Sequence, residues 1–301
     1  MTAKALRPIV LAAVLALSAS AASAQDDTKR PAANGLNAPA KNLFGAKAAP
    51  AAMTARAIGF YSRGCLAGGM ALPVDGPTWQ VMRLSRNRNW GHPDLIRLLE
   101  RLAKQAPSLG WSGLLVGDLA QPRGGPMLTG HASHQVGLDA DVWLTPMPNR
   151  VLSRQEREEM SATNLVADHR KDIDPSVWTA QHVAIIRAAA QAPEVERVFV
   201  NAAIKKALCR DARGNRSWLH KVRPYWGHNY HMHIRIRCPQ NSAGCKGQDP
   251  PPNGDGCGAE LDWWFTDAVL RPPKKPPKPR PPLRLADLPD ACRAVLAAPA
   301  R

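Results

Sequence analysis

The sequence predicts an α+β fold in which helices flank a central antiparallel sheet, and three observations support this prediction. Residues 231–237 read His-Met-His-Ile-Arg-Ile-Arg, an alternation of polar and apolar side chains that is typical of a half-buried antiparallel strand. Leucines recur at helical spacing through residues 93–104. Short apolar runs at 114–118 and 197–200 favour strands.

The remaining elements complete this alternation of helices and strands. A glycine-rich loop at 123–126 precedes residues 141–144, whose side chains favour a strand. Ser153 and Glu156 have the spacing of a capping box, which predicts the start of a short charged helix. Two further helices are predicted, over residues 181–191 and 204–209.

Residues 1–24 have the pattern of a secretory signal peptide. Lys4 and Arg7 precede a short apolar run, and Ala22-Ser-Ala24 matches the small-residue cleavage pattern. The apolar run is too short to span a membrane. We therefore expect cleavage near Ala24, export to the periplasm and no transmembrane segment.

Composition divides the rest of the chain into three regions. Residues 25–57 lack periodicity, which predicts a flexible lead-in to a single domain over 58–268. The tail, residues 269–301, contains a cationic proline-rich stretch at 271–282. This stretch predicts an extended polyproline segment that serves as a spacer or as a tether to an anionic surface. Cys292 predicts that a disulfide holds the end of the tail against the domain.

The six cysteines support export, because an even number in an exported chain predicts three disulfides. Their spacing allows about 15 connectivities, of which Cys238 with Cys245 would close a small loop after the histidine-rich strand. The cysteines lack the close pairing that zinc–thiolate sites use.

The charge balance of 40 Lys and Arg against 24 Asp and Glu gives a formal net charge of +16. A protein this basic is attracted to polyanions, and nucleic acid would be the first candidate in the cytoplasm. Export argues against nucleic acid as a partner. An anionic wall polymer or membrane surface fits better, and solubility without any partner is the alternative.

Two clusters of histidines predict a zinc site. Most of the nine histidines lie in two short windows: His131 and His134 in the first, and His220, His228, His231 and His233 in the second. Asp141 follows the first window, and the strand pattern places His231 and His233 on one face. Catalytic zinc typically binds three His, Asp or Glu ligands and keeps an open position for water.

The motifs that contain these residues resemble a known family. They are Gly130-His-Ala-Ser-His-Gln-x-Gly-Leu-Asp-x-Asp141, Lys221-Val-Arg-Pro224, His231-Met-His-x-Arg-x-Arg-Cys238 and Gly254-Asp-Gly-Cys-Gly-Ala-Glu260. Together they resemble the penicillin-insensitive murein endopeptidases, a family of LAS-type zinc metallopeptidases. The resemblance covers roughly residues 60 to 268.

The resemblance implies a role for each histidine of the two clusters. His134, Asp141 and His233 match the zinc ligands, and His131 matches a further metal-associated histidine. His231 matches the proposed catalytic base. His228 matches a histidine of the site without an assigned role. Some members bind extra metal through an Asp followed by a His; the aligned positions here are His169 and Asp172, in swapped order, so they are weak candidates for metal binding.

The resemblance also implies disulfides and a reaction. The disulfides are Cys65 to Cys292, Cys209 to Cys257 and Cys238 to Cys245. The reaction is zinc-dependent hydrolysis of peptidoglycan cross-links between D-alanine and meso-diaminopimelate, and between two diaminopimelates. Because this route forms no serine acyl-enzyme, it implies insensitivity to penicillin.

The remaining candidates are residues around the metal. Asp139 is a candidate for holding a ligand imidazole in place, because a carboxylate beside such a ring fixes its tautomer. Arg123, Arg223 and Trp226 are candidates for binding substrate. Two alternative functions stay open: a D,D-carboxypeptidase, and a zinc-containing module that binds the wall without cutting it. The sequence leaves open the preferred cross-link, the number of metals, the oligomeric state, regulation and the role of the basic tail.

Overall fold

The computed structural model describes residues 35–271 and 280–301, so the predicted signal peptide and most of the polyproline stretch lie outside the described residues. In the described part, the strands are β1 Arg56–Phe60, β2 Arg63–Ala67, β3 Met70–Ala71, β4 Asp75–Gly76, β5 Trp79–Val81, β6 Trp90–Gly91, β7 Leu114–Val116, β8 Asp139–Trp143, β9 Val195–Val200, β10 Val222–Pro224 and β11 His231–Ile236. The α-helices are α1 Ala40–Gly45, α2 Pro93–Gln105, α3 Arg154–Glu159, α4 Ala180–Gln191, α5 Ala202–Asp211, α6 Ala259–Asp262, α7 Asp267–Leu270 and α8 Ala291–Ala297.

The main sheet confirms the predicted α+β class. Its seven strands lie in the order β10-β9-β11-β8-β7-β5-β4. The central strands β9, β11, β8 and β7 pair antiparallel, whereas β10 with β9 and β5 with β7 are parallel. The sheet is therefore mixed, with the predicted antiparallel pairing at its centre.

The sequence patterns account for most of these elements. In α2 the leucines all turn toward the core, Pro93 occupies the first turn and the ring of His92 caps the amide of Asp94. The capping box of Ser153 and Glu156 is present at the start of α3. Strand β11 differs from the prediction because all six of its residues are buried. Its polar face packs against the rings of His134, 4.5 Å from that of His233 between centroids, and Tyr61, 3.9 Å from the guanidinium carbon of Arg235.

The lead-in differs from its prediction in the part that the structure describes. Residues 35–57 contain α1, whose Phe44 is fully buried in a second, smaller core together with Val295 of α8. We call α1, α8 and the segments that join them to β2 the terminal clasp. The lead-in has no periodic pattern in sequence, and its burial depends on residues of α8 that lie about 250 positions away.

Three disulfides hold the described chain together, and they are the pairs that the family resemblance implies: Cys65 with Cys292, Cys209 with Cys257, and Cys238 with Cys245. The first ties the terminal clasp to β2, and the third closes a loop directly after β11. Among the described residues, no helix has the length and apolar character needed to cross a membrane.

Candidate metal centre

The pairing of β8 with β11 places the candidate ligands of two distant sequence motifs side by side. His233 lies opposite Asp141, and Arg235 lies opposite Asp139. Opposed residues of an antiparallel pair project from the same face of the sheet, so these side chains share one face. That face forms the floor of a cavity of about 570 Å³.

The loop before β8 adds His134 to this face. Its backbone has a φ of 66°, a left-handed conformation that is uncommon for residues other than glycine. The backbone N–H of His134 donates to Asp139 Oδ2 at 3.0 Å, which holds the turn in place. Ring Nδ1 lies 2.9 Å from the carbonyl oxygen of Leu119. An N–H at Nδ1 donates to this carbonyl and leaves the lone pair of Nε2 facing Asp141.

Three imidazoles converge on one carboxylate oxygen. Asp141 Oδ1 lies 3.4 Å from His134 Nε2, 3.4 Å from His233 Nδ1 and 3.6 Å from His231 Nε2. The other oxygen, Oδ2, lies 3.5 Å from His131 Nδ1. In the part of the chain that the structure describes, His131, His134 and Asp141 offer ligand atoms within 4.8 Å of one another, a spacing suited to a metal ion.

Several atoms of this cluster are buried without a hydrogen-bond partner among the described residues. They are His134 Nε2, Asp141 Oδ1 and His231 Nδ1. An unpaired buried polar atom costs about 1–3 kcal/mol, so native proteins rarely leave several of them together. A metal ion coordinated by His134 and Asp141 would satisfy two of these three atoms.

Electrostatics within the cluster favours a charged carboxylate. Burial alone would raise the pKa of Asp141, but the neighbouring His231 and His134 outweigh it and hold that pKa well below its ordinary value. Burial lowers the pKa of His231 and brings that of His233 to about 4. Asp141 raises the pKa of His134 in spite of its complete burial. The ionised carboxylate of Asp141 therefore favours a cation beside it. A metal ion bound at His134 would compete with the proton for that ring.

Asp139 supports the floor of the cluster from below. Its Oδ1 lies 2.9 Å from His233 Nε2 and accepts from Arg235 Nε at 2.7 Å. Arg235 and His233 hold the pKa of this fully buried carboxyl far below its usual value, although burial acts in the opposite direction. The contact with Nε2 orients the ring so that its Nδ1 faces Asp141.

Asp118 is a residue of the site that the sequence prediction missed. Its Oδ2 lies 2.9 Å from His131 Nε2 and accepts hydrogen bonds from Arg86 at 3.0 Å and Arg88 at 2.8 Å. Burial opposes the shift, but His131 and Arg88 lower the pKa of Asp118 to about 2. A carboxylate two residues after the end of the apolar strand β7 was the available signal.

The rim of the cavity contains aromatic and cationic side chains. Trp226 is half exposed, and Arg83, which lies 5.5 Å over the ring of Trp143, contributes to the opposite wall. His228 stands 4.7 Å from His231 between ring centroids, and burial lowers its pKa to about 3. The structure therefore places His228 and Trp226 at the cavity.

Two predicted substrate-binding arginines lie elsewhere. Arg123 is buried, and its guanidinium lies within hydrogen-bonding distance of four backbone carbonyls of the terminal clasp: those of Ala49, Val295, Leu296 and Ala298. Arg223 is buried beside the Cys209–Cys257 region and pairs with Glu260. Among the described residues that line the histidine cavity, neither arginine is present, so the structure does not bring these two candidates for substrate binding to it.

The weak metal candidates are also outside the cluster. Asp172 binds Lys206 Nζ and Arg210 Nη1, each at 3.1 Å. Exposed His169 accepts a hydrogen bond from the backbone of Lys171. The structure thus engages Asp172 with cations and does not bring either residue to the histidine cavity.

Comparison with known proteins identifies the family. A family model described as penicillin-insensitive murein endopeptidase matches residues 57–297. The chain belongs to the penicillin-insensitive murein endopeptidase family. These are peptidases that hydrolyse peptide bonds in peptidoglycan. The match extends beyond the predicted domain end at residue 268 and includes α8 and Cys292 of the terminal clasp.

Curated relatives support the same assignment. A penicillin-insensitive murein endopeptidase of Yersinia enterocolitica is 46% identical over 247 residues, which are 82% of this chain and 87% of the relative. Its namesake from Klebsiella pneumoniae is 44% identical over 251 residues, 82% of this chain and 88% of the relative. The one from Haemophilus influenzae is 46% identical over 231 residues, 74% and 79% of the two chains.

Proposed function

We propose that this member of the family is a zinc-dependent endopeptidase that cuts the peptide cross-links of murein and is insensitive to penicillin. The bonds in question join D-alanine to meso-diaminopimelate, and two diaminopimelates to each other. The observation that carries the proposal is the convergence of three imidazoles on Asp141 Oδ1 at 3.4–3.6 Å. Family membership supplies the substrate polymer.

The donor set suits zinc. Nitrogen and carboxylate oxygen are its usual ligands when it acts as a catalyst, and we assign His134, Asp141 and His233 to that role, with His131 beside them. The buried, unpartnered Nε2 of His134 and Oδ1 of Asp141 fit this assignment. Bound there, zinc supplies a Lewis acid that polarises a carbonyl group and lowers the pKa of water.

His231 is our candidate for moving the proton. Burial lowers its pKa, so the ring is neutral at neutral pH and can accept a proton as a general base. Protonated in turn, the ring can donate to the leaving amine. His228 packs against it and restricts its orientation. This route uses no serine acyl-enzyme, so a β-lactam that acylates serine would leave it untouched.

We further propose that the protein works in the periplasm. Murein lies outside the cytoplasmic membrane, and the three disulfides require an oxidising compartment to form. The signal-peptide pattern of residues 1–24 supports the same location.

The test is a digest of cross-linked murein by purified mature protein that has been stripped of metal and reloaded with zinc. We expect dimeric muropeptides to become monomers, a chelator to stop the conversion and penicillin to leave it unchanged. Metal analysis of the same samples should give zinc in the wild type and little in His134→Ala.

Two variants separate metal binding from proton transfer. His231→Ala should keep its zinc and lose most activity, whereas His134→Ala should lose both. Release of terminal D-alanine without loss of dimers would show a D,D-carboxypeptidase instead. Zinc binding without any cleavage would show a wall-binding module.

A further inference from the structure

A second cavity adjoins the cavity of about 570 Å³ that contains the histidine cluster, here called the metal cavity. It has no role in the chemistry described above. Its volume is about 400 Å³, which is within the range of about 300–1,000 Å³ typical of small-ligand sites. Trp226 and Gly227 contribute to the walls of both cavities. A polymer that reaches the histidine cluster can therefore extend past Trp226 into the second cavity.

The second cavity is walled by aromatic rings. Tyr225, Trp226 and Trp264 line it, and the centroids of the two indoles are 5.0 Å apart. Tyr225 and Trp226 are each 51% exposed, a high value for such large side chains. In the described part of the chain, neither indole N–H nor the tyrosine hydroxyl has a hydrogen-bond partner. The rings thus offer apolar faces and free polar tips to a ligand.

The floor of this cavity is held in a fixed shape by amide side chains. Asn201 Nδ2 donates to the carbonyl of Gly227 at 3.0 Å, and its Oδ1 accepts from the amide of Ala203 at 2.9 Å. Asn164 is bound in the same way to the backbone of Val166. A rigid floor places the aromatic walls before any ligand arrives, which lowers the entropic cost of binding.

Charge distinguishes the possible ligands. The stem peptides of murein carry carboxylates and an amine at diaminopimelate, whereas its sugars are mostly neutral rings with an apolar C–H face and a hydroxylated edge. Among the described residues, two charged side chains line the cavity: Arg170, which donates to the carbonyl of Leu270 at 2.9 Å, and Asp168. Aromatic faces with free N–H and O–H groups match the sugar better.

We propose that this second cavity binds a sugar ring of the murein glycan strand while the attached peptide cross-link occupies the metal cavity. The proposal rests on the proposed function, since it adds a glycan subsite to the same substrate. Trp226 separates the two subsites, and Trp264 forms the outer wall. The enzyme then recognises a cross-link that is still attached to its strand.

The test compares two forms of one substrate. The first is a cross-linked muropeptide dimer that carries its disaccharides, and the second is the same dimer after an amidase has removed the sugars. We expect Trp264→Ala to raise KM for the sugar-bearing dimer roughly tenfold, the size of one lost aromatic contact of about 1.4 kcal/mol, with kcat unchanged. The sugar-free dimer should react equally well with wild type and variant.

Matched variants control for folding. Trp263→Ala alters the neighbouring, exposed indole, which does not line the cavity but packs against Trp264 with ring centroids 5.3 Å apart, and it should raise KM for the sugar-bearing dimer less than Trp264→Ala does. Trp264→Phe keeps an aromatic wall and should restore most of the binding. An equal loss on both dimers would show that the cavity holds peptide, and no loss on either would show that it holds no part of the substrate; each result overturns the proposal.

A binding measurement separates this proposal from the catalytic one. Titration of zinc-free protein with the N-acetylglucosamine–N-acetylmuramic acid disaccharide, followed by tryptophan fluorescence, needs no turnover. A saturable fluorescence change in wild type shows binding of the disaccharide. If the Kd obtained from it is higher for Trp264→Ala, the result supports the glycan subsite even if neither dimer is cut. Absence of any change in wild type at millimolar disaccharide overturns it, whatever the enzyme does to cross-links.

Discussion

The histidine cluster and the terminal clasp both bury polar side chains, but they treat them in opposite ways. In the clasp, the guanidinium of Arg123 lies within 2.7–3.1 Å of four backbone carbonyls. In the cluster, His134 Nε2 and Asp141 Oδ1 face each other at 3.4 Å, and both are buried without a hydrogen-bond partner among the described residues. Burial of a charged residue therefore says little about function. Unpaired polar atoms from separate chain segments that face each other say much more.

A single unpaired atom does not carry the same meaning. His92 Nε2 is also buried without a partner, yet the ring caps α2 through its other nitrogen. The cluster differs because its unpaired atoms belong to separate chain segments, the loop before β8, β8 itself and β11. Burying these atoms without partners costs free energy. A ligand that bonds to them and offsets this cost is the simplest explanation.

The largest effect should come from the cluster. His134→Ala removes a proposed zinc ligand and should lower kcat/KM on cross-linked murein by on the order of 10³-fold or more, since a zinc ion held there would both activate water and polarise the scissile carbonyl. The measurement is kcat/KM together with bound zinc per folded molecule. Retention of zinc with full activity would remove His134 from the ligand set.

A substitution in the clasp should lower the free energy of unfolding and leave kcat/KM unchanged. Arg123→Met leaves its carbonyls without a donor and should lower the free energy of unfolding by about 3 kcal/mol, because each buried unpaired group costs about 1–3 kcal/mol. Urea unfolding of the metal-free protein measures this. Below the denaturing range, kcat/KM should stay within twofold of wild type. A loss of activity without loss of stability would return Arg123 to the substrate site.

Asp139 shares a feature with each region. Its carboxylate is fully hydrogen-bonded, as the guanidinium of Arg123 is in the clasp, and it also contacts a proposed zinc ligand of the cluster. Asp139→Asn should weaken zinc binding by about 10–100-fold, the usual effect of losing a carboxylate behind a metal-binding histidine. Competition with a chromogenic chelator gives the affinity. Asp172→Asn, which removes a carboxylate paired with surface cations away from the cavity, is the control and should bind zinc normally.

The pKa of Asp139 predicts how the free energy of unfolding depends on pH. The folded pKa of Asp139 lies far below its unfolded value of about 3.9, so its ionised form stabilises the fold. This stabilisation is present above about pH 4 and is lost as pH falls toward the folded pKa. Urea unfolding of metal-free wild type should show a free energy of unfolding that declines below about pH 4. Asp139→Asn should flatten this decline, and an unchanged slope would contradict the assignment.

The sequence was sufficient for the parts of the site that depend on local pattern. The alternation in β11 placed His231 and His233 on one face, and the spacing of Asp139 and Asp141 placed both on one face of β8. The helical leucines and the capping box predicted α2 and α3. These features are set by side-chain periods of about 3.6 and 2 residues, which short segments already contain.

Long-range contacts could not be derived in this way. The packing of α1 on α8 depends on a fold that brings residues about 250 positions apart together, and the six cysteines allow about 15 connectivities until the family resemblance chooses among them. The direction of Arg123 and Arg223 depends on which carbonyls and carboxylates are nearby. Asp118 was missed because it lies outside the motif, as do two of its three partners, Arg86 and Arg88.

Asp118 should give the smallest effect and the sharpest test of the comparison. It resembles the clasp in being bonded, through its Oδ2, to Arg86 and Arg88, and it resembles the cluster in touching His131, whose ring is 23% exposed. Asp118→Asn keeps a carbonyl oxygen for these donors and removes the charge. We expect kcat/KM to fall less than tenfold, because His131 stands beside the three assigned ligands and does not replace one. A fall in kcat/KM as large as that of His134→Ala would instead make His131 a required ligand. Activity would then depend on the hydrogen-bonded pair of His131 and Asp118 as much as on the unpaired atoms of His134 and Asp141.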